Sequence, residues 1–145
     1  MVLIFISTNY LFADTSTVYI GTITTSTKQI YTYKISFKID KKGNIKGTST
    51  TDIYGKNKTT SEILGKIDEK DNKISFYETT NTTTKSSANE NSFCFITVSN
   101  LNIKSEKNKN VIEGEYVGNF KNKQECSRGI IYLVNTKNIE DKLNN

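Results

Sequence analysis

One polar turn is written three times along this chain, and it limits what the chain can fold into more than any other feature. Lys38-Ile39-Asp40-Lys41-Lys42-Gly43-Asn44-Ile45 recurs as Lys66-Ile67-Asp68-Glu69-Lys70-Asp71-Asn72-Lys73-Ile74. A looser copy follows at Ile103-Lys104-Ser105-Glu106-Lys107-Asn108-Lys109-Asn110-Val111. Each is a knot of Asp, Asn and Lys between two runs in which apolar residues alternate with polar ones, the pattern of a β-hairpin. Asp and Asn side chains bond back to nearby backbone and tolerate left-handed dihedrals.

Residues 30–39 alternate most cleanly. Tyr31, Tyr33, Ile35, Phe37 and Ile39 share one face, while Lys34, Ser36 and Lys38 share the other, as in a half-buried strand. Further strands are expected at residues 18–25, 45–53, 61–67, 73–79, 93–103, 111–120 and 129–135. In the fourth, Ile63, Gly65 and Ile67 align. No run between them has helical period, and short connections exclude parallel pairing. The fold class is therefore all-β: a single antiparallel up-and-down meander of about eight strands. Closing it as a small barrel removes both exposed edges; a two-sheet β-sandwich is the alternative.

The 145 residues suffice for one domain. Hydrophobic content is only 34%, yet the aromatic and β-branched residues recur with strand period, which argues against disorder. The net charge of +5 reads as spread along the chain, with acidic residues among the lysines in every turn, so nucleic acid is not expected as a partner. There is no histidine. That removes the side chain that titrates near neutrality, and with it most catalytic triads and common zinc sites. Two cysteines cannot complete a zinc site alone. No metal, cofactor or enzymatic activity is expected.

Residues 1–13 carry no charge and end in Ala13, matching the apolar core of a secretory signal peptide without its basic leader. The segment is too short to span a bilayer. Residues 14–17 then form a linker, residues 18–135 the barrel domain and residues 136–145 a charged tail. Export to the cell envelope, periplasm or exterior places Cys94 and Cys126 where a disulfide persists.

In a meander successive connections alternate between the two ends. The three similar turns fall at one end, and residues 26–29, 54–60, 80–92 and 121–128 gather at the other, the expected mouth. Cys94 and Cys126 both map there, so a disulfide across the rim is expected. Inward aromatic side chains at the mouth half are Tyr31, Tyr33, Phe93, Phe95, Tyr116 and Phe120, which either line a ligand cup or fill the barrel as core. Glu78 shares a face with Ile74 and Phe76, so a carboxylate is expected to point inward. Arg128, the one arginine, is a candidate anion anchor or a partner for Glu78. A carboxylate pair such as Glu78 with Asp52 is the remaining catalytic candidate, provided the two share a cleft.

Gly21 at the strand opening, the hairpin from Asp40 to Gly47 and the strand Gly114-Glu115-Tyr116-Val117-Gly118 resemble those of calycin barrels, the lipocalin-like and avidin-like proteins, across residues 18–135. The resemblance implies a barrel that binds something. Ile23 stands where the lipocalin opening has tryptophan, and the chain has no tryptophan at all, so no family binding residue carries over and biotin is not expected. The leading functional expectation is an exported, non-enzymatic protein holding a small amphipathic or apolar ligand at the mouth. The other is a protein-interaction module, such as a secreted inhibitor, acting through the mouth loops.

Overall fold

A computed structural model describes residues 16–53, 57–84 and 93–136. The expected leader, most of the linker, the tail beyond residue 136 and loop residues 85–92 lie outside the described residues. Eight strands follow in order: β1 (Thr17–Thr25), β2 (Ile30–Ile39), β3 (Asn44–Ile53), β4 (Asn57–Asp68), β5 (Lys73–Thr84), β6 (Phe95–Glu106), β7 (Lys109–Asn119) and β8 (Glu125–Asn135). Each pairs antiparallel with the next, and β8 returns to β1 from Thr25↔Gly129 to Tyr19↔Asn135, closing the barrel. The ring is complete, so the two-sheet sandwich is excluded.

The repeated turns work through local hydrogen bonding. Asp40 Oδ1 accepts from the backbone N–H of Lys42 and of Asn44, both at 2.9 Å, and Oδ2 accepts from the Asn44 side chain. Asp68 Oδ1 likewise accepts from the N–H groups of Lys70 and Asp71. Gly43 sits at φ +84°, and a Cβ there would stand 2.5 Å from the Ile67 carbonyl of the neighbouring hairpin. In the third turn Lys107 and Asn108 are both left-handed, as a two-residue type I′ hairpin requires.

The core follows the alternation. Tyr33, Ile35 and Phe37 of β2 point inward, and meet Ile63 of β4, Ile74 and Phe76 of β5, and Ile131 and Leu133 of β8. Tyr19 stacks on Phe37 with ring centroids 6.2 Å apart. Each such side chain contributes about 1.5–3 kcal/mol by leaving water.

The largest departures from the expected strand ends are in β4, β5 and β8, while β6 (Phe95–Glu106) and β7 (Lys109–Asn119) shift by smaller amounts. β4 begins at Asn57 and β5 runs to Thr84, because threonines read as loop pair across the hairpin, Thr59↔Thr84 and Thr60↔Thr83. β-Branched threonine suits an extended strand despite its polarity. β8 begins at Glu125, with an extra residue at Cys126 where the register shifts between Gly118↔Ser127 and Asn119↔Glu125.

A further irregularity lies in β6. Against β5 the pairs are Ile74↔Leu101 and Phe76↔Val98, so β6 uses one more residue than its partner over the same span. Asn100 is left-handed at φ +50°, and its N–H bonds to Ser75 Oγ at 2.9 Å. The bulge at Ser99 and Asn100 inverts alternation: Leu101 and Ile103 pack on the core beyond it, Ile96 and Val98 before it.

Candidate functional site

The mouth half of the barrel interior is polar where the turn half is apolar. Odd-numbered residues of β3 point inward, which carries Ser49 into the interior beside Tyr33 of β2, and Glu78 of β5 closes the group. Tyr33 Oη donates to Glu78 Oε1 at 3.0 Å, Ser49 Oγ donates to the same oxygen at 2.6 Å, and the backbone N–H of Ile96 donates to Oε2 at 2.8 Å. The last described β5–β6 pair toward the mouth is Tyr77↔Thr97, and the Glu78 carboxylate adds a link to the Ile96 N–H beside it.

Glu78 is 8% exposed and Tyr33 fully enclosed. Burial is the largest influence on Glu78 and raises its pKa, although its three donors favour the charged form. Burial, and then the neighbouring Glu78 charge, push the Tyr33 phenol well above its ordinary value. No cation joins the group among the described residues. It is a carboxylate held by donors alone, and its chemistry is that of a strut between four strands.

Cys94 and Cys126 form a disulfide with a Cα separation of 5.9 Å. It ties β6 to β8 by crossing the strand between them. The crossing is possible because β7 presents Gly118 at that level: a Cβ there would lie 2.4 Å from Cys94 Sγ. Tyr116, two residues along β7, is buried and shares a 2.9 Å hydrogen bond with Ser127.

The structure places the sequence-derived candidates as follows. Tyr31, Tyr33, Glu78 and Tyr116 are on the inner face, Tyr31 bonding Gln29 Oε1 at 2.7 Å near the rim. Phe120 is half-buried at the turn that follows β7, where its N–H bonds the Gln124 carbonyl. Phe95 is a correction. Ile96 and Val98 occupy the core, so Phe95 faces outward, half-buried, and half-buried Phe93 shares its alternation. Alternation alone put them inward, and in the folded strand Ile96 and Val98 hold the inner phase before the β6 bulge.

Arg128 is a second correction. It alternates outward from Ser127 and Ile131, and its guanidinium bonds Glu125 Oε1 at 2.6 Å with 62% of its side chain exposed. It neither meets Glu78 nor faces the interior. Asp52 lies on the outer side of β3 and Glu78 on the inner side of β5, so the two carboxylates share no cleft. Among the described residues no cluster of three or more His, Cys, Asp or Glu could hold a metal ion.

The outer wall holds what the candidates missed. Tyr77 (48% exposed), Leu64, Ile20, Ile30, Ile130 and Tyr132 are large apolar side chains turned to solvent. Leu64 and Tyr77 are cross-strand partners in an open groove of about 900 Å3 over β4, β5 and β6, which Lys66, Lys73, Ser75, Ser99 and Asn100 also line. The signal was legible at Leu64 and Tyr77, each of which breaks the polar face of an otherwise regular alternation.

Comparison with known proteins finds no matching family model, no similar curated protein and no similar solved structure. The eight-stranded closed antiparallel barrel is consistent with a calycin-like architecture. No helix among the described residues is long and apolar enough to cross a membrane.

Proposed function

We propose that this chain is an exported, non-enzymatic binding protein that meets its partner on the outer surface of the barrel. The carrying observation is a contrast. Tyr33 and Tyr116 are 0% and 1% exposed, so these rings fill the mouth half, whereas six large apolar side chains stand outside. Contiguous exposed apolar side chains mark docking sites, and Leu64 and Tyr77 are contiguous as cross-strand partners. The Cys94–Cys126 bridge supports export, since disulfides persist in oxidising compartments.

The other reading keeps a small amphipathic ligand at the mouth. In its favour, Tyr31, Tyr33, Tyr116 and Glu78 do line the inner face there, under a disulfide-tied rim. It requires those rings to swing away from the interior they fill.

Native mass spectrometry of protein purified from its own source separates the two. The expected spectrum shows the chain with its disulfide and no added small molecule, and added oleate leaves tyrosine fluorescence unchanged. A stoichiometric small-molecule adduct, with retention weakened in Tyr116→Phe, would overturn the outer-surface reading.

A further inference from the structure

The outer wall formed by β2, β1, β8 and β7 carries an uncharged stripe between flanks of opposite sign. Ile20, Ile30, Ile130 and Tyr132, four of the six large apolar side chains exposed among the described residues, all lie on it. They are contiguous: Ile20 pairs with Val134, Thr22 with Tyr132, and Thr24 with both Ile130 and Ile30. β1 has no charged residue, and Arg128, the one basic residue of β8, is held by Glu125 at the mouth end.

Lys34 and Lys38 face outward on β2, and Glu113 and Glu115 face outward on β7. Lys109 begins β7 at the turn end, beyond the stripe. The next strands out are balanced, Lys46 with Asp52 on the outer side of β3 and Lys104 with Glu106 on that of β6.

We propose that two copies of this chain associate through this wall, about a two-fold axis running along the β1–β8 seam. The proposal goes beyond the outer-surface reading and uses a wall other than the Leu64–Tyr77 groove. Two observations select a second copy as the occupant. The first is charge. That rotation lays β2 of each copy over β7 of the other, so lysine meets glutamate twice, whereas a two-fold across the strands would set like charges together. Through Ile20 and Val134, Lys34 shares its level with Val111, two residues or about 7 Å along the strand from Glu113, a gap that a lysine side chain spans. The second is relief. The same rotation lays β1 over β8 of the partner copy, so the short Thr22 and Thr24 come beneath Tyr132 and Ile130, and Ile20 comes against Val134. A bilayer surface would use the apolar stripe but not flanks of opposite sign. A face four strands wide at about 4.8 Å spacing is small, so the dimer is a weak one, with Kd on the order of 10–100 μM.

Sedimentation velocity on the purified full chain tests this from about 5 to 500 μM, where mass action should carry the average mass from monomer to a dimer plateau. Ile130→Ser with Tyr132→Ser should weaken association at least about tenfold. Lys34→Glu alone, or Glu113→Lys alone, should weaken it about three- to tenfold, because each places like charges in both symmetry-related contacts. Lys34→Glu and Glu113→Lys in one chain should return it to within about twofold of wild type. Mixing the two single variants should give a heterodimer tighter than either homodimer. Every substituted side chain is exposed, and unaltered thermal melting confirms that the variants fold.

A chain monomeric throughout, including one that floats with phosphatidylcholine vesicles instead, overturns the proposal. So does a mass that climbs past the dimer without a plateau, indifference to the Ile130 and Tyr132 changes, or charge reversals that fail to rescue each other. Its failure is distinct from that of the outer-surface reading, which falls only to a small molecule held inside the barrel.

Discussion

The two ends of this barrel are stabilised by different means. Toward the turns the interior is closed by Ile35, Phe37, Ile45, Ile74, Phe76 and Leu133, and short Asp-capped hairpins need nothing else. Toward the mouth the connections between strands vary more in length. There the interior switches to Tyr33, Ser49, Glu78 and Tyr116, and a disulfide spans the rim. Apolar packing suffices where neighbouring turns hold the strands in register. Beyond the described β5–β6 pair Tyr77↔Thr97, the Glu78 carboxylate reaches the Ile96 N–H, and the disulfide joins Cys94 to β8 across β7.

Truncating the core beneath the turns should destabilise the protein most. Phe76→Ala empties a fully buried site between β4 and β6 and should cost about 3–5 kcal/mol in denaturant unfolding. Removing the disulfide with Cys94→Ser and Cys126→Ser, which are 32 residues apart, should cost about 3–4 kcal/mol. If the disulfide loss clearly exceeded the Phe76 loss, the mouth and not the turn half would dominate stability.

The carboxylate strut sharpens the comparison at a smaller scale. Ser49→Ala removes one donor to Glu78 and should cost about 1–3 kcal/mol. Because burial raises the Glu78 pKa in the folded state above its ordinary 4.5, the folded protein holds that proton more tightly than the unfolded chain. Its contribution is fully present below pH 4.5 and is lost as pH rises through the folded value. The stability difference between wild type and Glu78→Gln, followed by urea melts, should therefore shift against wild type as pH rises through that window. A difference flat with pH would show that the carboxylate is not desolvated.

Asp40 makes the opposite contribution and the smallest effect. Its bonds to Asn44 lower its pKa, so its turn stabilises above the ordinary value of 3.8 and is lost as pH falls through the lower folded value. Asp40→Ala should lower the melting temperature modestly at neutral pH and merge with wild type in strong acid. A loss rivalling Phe76→Ala would mean that the hairpin, not the core beneath it, holds this end.

Much of the barrel was legible because its determinants are local. The period-two alternation from Tyr31 to Ile39 and the Asp-Asn turns each act within a few residues. The Cys94–Cys126 pairing followed from counting strands between like turns. The inward Glu78 followed from its phase with Ile74 and Phe76. Illegible were Phe95, whose phase is reversed by a bulge that depends on Ser75 of the neighbouring strand, and Arg128, whose partner Glu125 lies in a strand extension read as loop. Ser49 was overlooked although its phase with Ile45 was visible, because a small polar residue carries no burial signal of its own.

Strand phase and turn chemistry, encoded residue by residue, already make this chain a meander of antiparallel strands. Which side chains meet is set by the closed ring. Whether Glu78 finds Tyr33 and Ser49 and whether a glycine lies under the disulfide both depend on barrel closure. Closure sums small registers around the ring, so one extra residue in β6 or β8 re-aims side chains that local patterning treats as settled.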